Sequence, residues 1–186
     1  MQILAFVLFS LLLSLVPFSV AVSSSVYRCI VMKEALKIAL VFGLFQSGMM
    51  IIGWLIGFAV KGLLYSMAVP VAALIVFMIG ARLFLDSRRF GKEQRTIASN
   101  NSRILMGFSF VTSINTLLLG MGFGILYPNP WLLAAILFVM TFIMTLIGVY
   151  AGKRGMMNIG KTAESTAGLA MLIISVVIVL QFLKII

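Results

Sequence analysis

The 186-residue sequence contains no histidine, a single cysteine, Cys29, and only four acidic residues. One cysteine cannot form an internal disulfide, and a zinc site built from cysteine and histidine is excluded as well. The acidic residues are too scattered to form a pair of catalytic carboxylates, and no nucleophile stands beside a base. We therefore expect neither an enzyme nor a bound cofactor.

Charged residues are scarce as well, at 10% of the sequence, whereas hydrophobic residues make up 63%. Ordinary soluble chains have about 25% charged and about 45–50% apolar residues, so this composition is typical of a protein that resides in the lipid bilayer. A net charge of +10 would suggest nucleic-acid binding in a soluble protein. Here the basic residues lie in short connections and form no groove with interleaved aromatic residues, so we expect no nucleic-acid partner. The composition sets no oligomeric state.

Six apolar runs of about 20 residues are each long enough to cross a bilayer as a helix. None shows the period-two alternation of a membrane-spanning strand. The sequence thus predicts an all-α membrane protein with six transmembrane helices in a single polytopic domain, residues 1–186. A cleaved signal peptide is the alternative for the first run, but no Lys or Arg precedes its apolar core. The runs cover residues 2–22, 35–59, 63–85, 104–126, 131–151 and 165–184.

The basic residues are distributed unevenly among the connections between these runs. Residues 82–103 carry six of the fourteen Lys and Arg, and the regions of the first and fifth connections carry six more. The remaining two are Lys61 and Lys184. The positive-inside rule then predicts a basic cytoplasmic loop at about 86–103, with both termini outside the cytoplasm of a bacterial inner membrane.

The second and fifth runs resemble each other when residues 42–57 are placed over residues 137–152. In that alignment Gln46 falls on Thr141, and two glycines of each run coincide. These positions lie on one face of a helix, and small residues at such spacing allow helices to approach closely in lipid. The glycines predicted to pack against a neighbouring helix are Gly53, Gly57, Gly148 and Gly152.

The first and fourth runs also align, with Ser14 over Ser113. The chain thus contains two copies of one unit, repeat 1 at about 2–85 and repeat 2 at about 104–184. Because each copy has three spans, the second is inserted upside down, and the prediction is two inverted three-helix repeats, a common transporter plan. Pro17 in the first span and the glycines of residues 120–124 in the fourth are predicted to interrupt their helices.

Polar residues inside the spans are candidates for a substrate or ion pathway, because a polar group in hydrocarbon must find a partner. Asn115 and Gln46 carry amide oxygens suited to a metal ion, and the alternative is that both only join helices by hydrogen bonds. Thr141 faces the same alternatives, with bonding back to its own helix favoured for it and for Thr145. The predicted pathway is completed by Ser14, Ser113 and Thr112.

The acidic residues lie at the ends of spans or in the central loop. Glu34 and Glu164 stand at predicted helix starts, where a negative charge interacts favourably with the helix dipole. None of the four is predicted to lie in the middle of a span.

Several segments together resemble the MntP family of bacterial manganese efflux pumps. They are KEALKIALVFGLFQS and IIGWLIG in the second span, IGARLFLDS in the third, TSINTLLLGMGFG in the fourth, and LIGVYAGKRG with IGKTAE across the fifth loop. The resemblance implies six helices in two repeats and the export of manganese, which would be a substrate and not a cofactor. Where the family pattern has acidic residues in the first, second and fourth spans, this chain has Val16, Gln46 and Asn115.

The resemblance therefore implies an inner-membrane exporter of manganese or another divalent cation, with Asn115 and Gln46 at the metal positions. Two alternatives stay open. One is a non-transporting membrane relative with an interaction or regulatory role, which kept the fold and lost the ion site. The other is a transporter of a different solute.

Overall fold

The structure is a computed structural model that describes residues 2–27, 30–62, 68–89 and 102–182, and it contains no strand over those residues. All six of its α-helices are long and apolar enough to cross a membrane. The predicted all-α architecture with six spanning helices is thereby confirmed, while most of the predicted loop at 86–103 lies outside the described residues. The helices are α1 (Gln2–Tyr27), α2 (Met32–Val60), α3 (Ala68–Arg89), α4 (Ser102–Leu126), α5 (Trp131–Lys153) and α6 (Met157–Phe182).

Two local predictions were wrong. Helix α6 begins at Met157 and not at residue 165. Helix α1 continues through Pro17, and α4 continues through its glycines, so neither helix is interrupted. Membrane helices tolerate proline and glycine where neighbouring groups compensate the backbone, and both segments are packed on several sides here.

The turns on either side of α5 are set by local side-chain and backbone chemistry. Before α5, the Asn129 side-chain oxygen accepts a hydrogen bond from the Trp131 backbone N–H at 3.1 Å, next to Pro130 at the N-cap. After α5, Gly155 has a φ of 72° and its N–H bonds to the Gly152 carbonyl at 2.9 Å. Glycine adopts this left-handed conformation without strain, so the chain reverses there and enters α6.

The two ends of the bundle differ in charge. At one end, called the terminal end, α1 begins and α6 ends; there the Phe6 ring packs edge-on against Tyr127 just beyond α4, 5.2 Å between centroids. Successive helices run in alternate directions, so α1, α3 and α5 finish at the opposite end, called the basic end. Which end faces the cytoplasm stays a prediction. The basic residues at the basic end include Lys33, Lys37, Arg82, Lys153, Arg154 and Lys161.

Helix packing follows a symmetric pattern: the same helix pairs are obtained when the first three helices are exchanged with the last three. Helix α2 packs mainly on α4, and α1 packs mainly on α5; α3 packs on α6. Secondary contacts join α2 to α5, α1 to α6 and α3 to α4. Replacing α1, α2 and α3 by α4, α5 and α6 gives the same set of contacts. This pattern is compatible with the predicted inverted repeat, which stays a prediction.

The contact between α2 and α4 is made by glycines from both helices. A Cβ atom on Gly53 or Gly57 would collide with the backbone carbonyls of α4. In return, a Cβ on Gly120 or Gly124 would collide with backbone carbonyls of α2. Because no side chain separates the two backbones, these helices approach as closely as small residues permit in a membrane.

The contact between α1 and α5 uses glycines from α5 alone. A Cβ on Gly148 would lie 2.6 Å from the Phe18 carbonyl oxygen, and one on Gly152 would collide with the carbonyl of Val22. The facing residues of α1 are Ala21 and Ser25. All four glycines predicted from the sequence therefore lie against the backbone of a neighbouring helix.

Candidate functional site

A hydrogen bond between two fully buried side chains joins α2 to α5 at mid-height. The Thr141 hydroxyl donates to the Gln46 side-chain oxygen at 2.9 Å, and both residues are 0% exposed. The prediction that Thr141 bonds back to its own helix is therefore wrong, because the amide oxygen of Gln46 lies within its reach. The side-chain nitrogen of Gln46 has no hydrogen-bond partner.

Asn115 lies in the middle of α4 and is 4% exposed. Its side-chain oxygen is buried without a hydrogen-bond partner, and no hydrogen bond joins it to Gln46 or Thr141. One turn further along α4, Leu119 belongs to the main hydrophobic core together with Val16 of α1. The structure thus joins Gln46 and Thr141 of the predicted pathway by a hydrogen bond, and it leaves the amide oxygen of Asn115 available to a ligand.

The hydroxyl groups of the predicted pathway donate hydrogen bonds to backbone carbonyls of their own helices. Ser14 donates to the Leu11 carbonyl at 2.7 Å, and Ser113 donates to the Ser109 carbonyl at 2.6 Å. Thr112 lies 3.0 Å from the carbonyls of both Phe108 and Ser109. Thr145 bonds back to the Thr141 carbonyl at 2.7 Å, as predicted. A hydroxyl bonded in this way still has lone pairs that can accept a hydrogen bond or coordinate a cation.

Glu164 is the functional candidate that the sequence analysis missed. It lies in the second turn of α6, is 0% exposed, and accepts a hydrogen bond from the Ser19 hydroxyl of α1 at 3.0 Å. At 1.5 Å per residue it lies about 10 Å along the axis from the start of α6. The prediction that it marks a helix start was wrong because the helix begins seven residues earlier, at Met157.

A sequence signal for this burial exists in the small residues around Glu164. Gly160, Glu164, Ala167 and Met171 are spaced by four, three and four residues, which places them on one helix face. All four are buried. The same spacing identified the glycine face of α2. If the predicted sixth span had been extended towards its polar start, the buried face that contains Glu164 would have been recognised.

A crevice of about 520 Å³ opens at the terminal end between α1, α3, α4 and α6. Its walls are apolar and include Leu8, Val76, Leu119 and Phe123. Leu119 lies one turn from Asn115, which does not itself line the crevice. Across the described residues, no three Cys, Asp or Glu side chains are grouped as a metal cluster. Among the described residues, the buried oxygens are those of neutral polar side chains and the carboxylate of Glu164.

Six spanning helices with buried polar side chains between them define a polytopic membrane protein. Comparison with known families identifies the family to which this membrane protein belongs. The family model described as "Mntp: Putative manganese efflux pump" matches residues 29–179. The match covers most of the chain, so the chain belongs to this family, and the resemblance drawn from its motifs is confirmed.

Curated relatives align with most of the chain or nearly all of it. A protein of Methanothermobacter thermautotrophicus named "Putative manganese efflux pump MntP" is 30% identical over 186 residues, covering 97% of each chain. A protein of the same name from Saccharophagus degradans is 35% identical over 144 residues, covering 77% of this chain and 79% of its own. One from Crocosphaera subtropica is 28% identical and covers 88% of each. No solved structure matches this chain.

Proposed function

We propose that this protein exports manganese, or a closely related divalent cation, from the cytoplasm across the inner membrane. The observation that carries the proposal is the family match over residues 29–179, which extends from the start of α2 into α6. Relatives that align with almost the whole chain bear the name of manganese efflux pumps. The six spanning helices supply the membrane path that such an activity requires.

The buried oxygen of Asn115 is the ligand that the geometry offers. Manganese is a hard cation that prefers oxygen ligands. The Asn115 amide oxygen is buried at mid-helix and has no hydrogen-bond partner. Such a buried polar atom is unfavourable, and a bound cation would stabilise it. The Gln46 oxygen, which accepts a bond from Thr141, is the second candidate. Of the acidic residues that the structure describes, Glu164 alone is buried and brings one negative charge into the bundle.

A non-transporting relative is the second candidate function, and one observation favours it. Val16 stands where the family pattern has an acidic residue in the first span, and it is 3% exposed within the main hydrophobic core. A valine cannot ligate a cation. With Asn115 and Gln46 neutral as well, a divalent ion at mid-height would be poorly compensated in the membrane interior.

The two functions are separated by the manganese content of a host that lacks its own exporter. We expect cells that express the wild-type protein to hold less manganese and to tolerate more of it than cells with an empty vector. Asn115→Ala should abolish this resistance without reducing the amount of folded protein. Asn129→Ala, in the exposed turn before α5, is the matched control and should leave resistance unchanged.

Restoring carboxylates supplies the other arm of this test. Asn115→Asp combined with Val16→Asp should strengthen export if the wild-type protein already exports. If the wild type confers no resistance and only the double variant does, the transport function fails for this chain and the non-transporting relative is supported. If the wild-type protein exports manganese and Asn115→Ala leaves resistance unchanged, Asn115 is not a ligand of the exported cation.

Orientation in the membrane is part of the proposal. We infer that the basic end faces the cytoplasm. In the sequence, twelve of the fourteen basic residues lie in or beside the connections that follow α1, α3 and α5, and the positive-inside rule assigns such connections to the cytoplasm. A reporter that is active only in the cytoplasm should work when fused within residues 90–101 and fail when fused after Ile186. A reporter active at the C-terminus would contradict the six-span topology.

A further inference from the structure

The crevice at the terminal end is bounded by four helices, and contacts between them close it on three sides. Between α1 and α4, the Phe6 ring packs edge-on against Phe123 with 5.4 Å between centroids. Between α3 and α4, a Cβ on Gly122 would lie 3.8 Å from Ala72, which is an ordinary van der Waals distance. These two sides of the crevice are therefore formed by side chains and backbone in direct contact.

The third side, between α3 and α6, is closed by a hydrogen bond from the Ser175 hydroxyl to the Ala73 carbonyl at 2.9 Å. The fourth side lies between α1 and α6, which are joined at Ser19, nearer the basic end. At the terminal end, Leu4 and Leu8 of α1 line the crevice and are 75% and 43% exposed. The crevice therefore opens sideways between α1 and α6, towards the surrounding lipid.

The height of the crevice places it within one leaflet of the bilayer. From Leu119 at its floor to Tyr127 at its mouth is about 12 Å along α4, at 1.5 Å per residue. Half of a hydrocarbon core of about 30 Å is about 15 Å. Except for Tyr127, which directly follows α4, the lining residues belong to the segments that could cross a membrane. The crevice thus extends through most of the acyl-chain layer of the leaflet at the terminal end.

The lining of the crevice is apolar except at its mouth. Among the described residues that line it, Tyr127 and Gln181 alone have polar side chains, and both lie at the terminal ends of their helices. Cavities with apolar walls bind apolar molecules and not water. If such a crevice were empty, the atoms of its walls would lose dispersion contacts. The chemistry of the walls therefore calls for a hydrocarbon occupant.

We propose that the crevice binds one acyl chain of a membrane phospholipid, with the ester and headgroup region of the lipid beside Tyr127 and Gln181. The acyl chains of the bilayer lie at the height of the apolar walls, and the side opening between α1 and α6 admits a chain directly from the leaflet. Tyrosine is enriched at the membrane interface, where its hydroxyl meets the polar part of the lipid. The inference goes beyond the proposed export function and does not depend on it.

The first arm of the test places the purified wild-type protein in vesicles of phosphatidylethanolamine and phosphatidylglycerol, with a small fraction of phospholipid that carries a diazirine along one acyl chain. After illumination, the labelled residues are located by mass spectrometry. Leu119 and Val76 are the informative positions, because they line the crevice and are 2% and 5% exposed. We expect both to be labelled, as the lipid-facing Leu74 will be. Leu137 of α5, which is 1% exposed and does not line the crevice, is the buried control and should stay unlabelled.

Label on Leu74 without label on Leu119 and Val76 would overturn the proposal, because the crevice would then hold no acyl chain. The Gly122→Phe variant sharpens the result, since its side chain should fill the crevice from α4 and reduce the labelling of Val76 several-fold. Gly48→Phe is the matched control, because nothing lies within 4 Å of the Cβ position there, and it should label like the wild type. Undiminished labelling of Val76 in folded Gly122→Phe would contradict the proposed position of the chain. If Gly122→Phe does not fold, the labelling of the wild type decides.

The second arm distinguishes an acyl chain from water. In a Cys29→Ser background, Ala72→Cys places a small thiol on the wall of the crevice. We expect this thiol to resist a charged, membrane-impermeant reagent, whereas Asn129→Cys in the exposed turn before α5 should react readily. If Ala72→Cys reacts as fast as Asn129→Cys, water fills the crevice and the proposal is overturned.

Discussion

The bundle contains two related helix pairs that achieve close packing by different means. Between α2 and α4, glycines of both helices interlock: Gly53 and Gly57 lie against α4, and Gly120 and Gly124 lie against α2. Between α1 and α5, the α5 glycines face Ala21 and Ser25. The Ser25 hydroxyl donates to the Val149 carbonyl at 2.8 Å, so a hydrogen bond stands where the other pair has only backbone contact.

The difference extends to the helices that flank these pairs. The Ser19–Glu164 hydrogen bond joins α1 to α6, whereas Val76 of α3 belongs to the apolar core and Leu118 of α4 packs against it. Polar side chains are therefore concentrated at the contacts of α1 near the basic end. The bundle thus has an apolar crevice at its terminal end and a polar, ionisable contact nearer its basic end.

The largest effect is expected from filling the glycine contacts. Gly53→Leu should destabilise the protein by about 3 kcal/mol or more, because the side chain meets the Leu117 backbone, which cannot move aside. Gly148→Leu should be severe but milder, since α1 offers slightly more room there. The measurement is the yield and melting temperature of folded protein in detergent.

Gly48→Leu on α2 is the matched control, because nothing lies within 4 Å of the Cβ position there. It should fold like the wild type. If Gly53→Leu melts at the same temperature as Gly48→Leu, the interlocked contact between α2 and α4 does not exist.

A smaller effect is expected where the halves meet at Gln46 and Thr141. Thr141→Val keeps the shape of the side chain but removes the donor, so the buried Gln46 oxygen loses its partner. The expected loss is about 1 kcal/mol of unfolding free energy. Thr145→Val is the control, because Thr145 bonds only to its own helix. Equal losses for the two variants would show that the bond between α2 and α5 contributes no more to stability than a bond within α5.

The smallest effect concerns the hydrogen bond that distinguishes the two helix pairs. Ser25→Ala removes the donor to Val149 and should cost about 0.6 kcal/mol, the average for such bonds between membrane helices. Ser23→Ala, which removes a bond within α1, serves as the control. Thermal melting of both variants is the measurement. A Ser25→Ala protein that is more stable than the wild type would mean that the glycine-only contact is the better one.

Much of the fold, and less of the site, could be predicted from the sequence. Run length and charge distribution suffice to predict six spanning helices. Glycine spacing identifies packed faces, because glycines that recur on one side of a helix leave a flat surface against which another helix can lie. The alignment of Gln46 with Thr141 shows that they are related positions, but only the structure shows that they touch each other. Glu164 was missed because the polar residues before it, such as Asn158 and Lys161, have the composition of a loop. In the structure they form the first turns of α6, where Gly160 lies against α1.

Loss of manganese from preloaded cells tests the central claim most directly. Cells of an exporter-deficient host are loaded with radioactive manganese and transferred to manganese-free medium, and the label that remains is followed over time. We predict that cells expressing the wild-type protein lose label several-fold faster than cells with an empty vector, and that Asn115→Ala cells lose it at the empty-vector rate. Wild-type cells that retain label as long as empty-vector cells, with the protein folded in the membrane, would contradict the account.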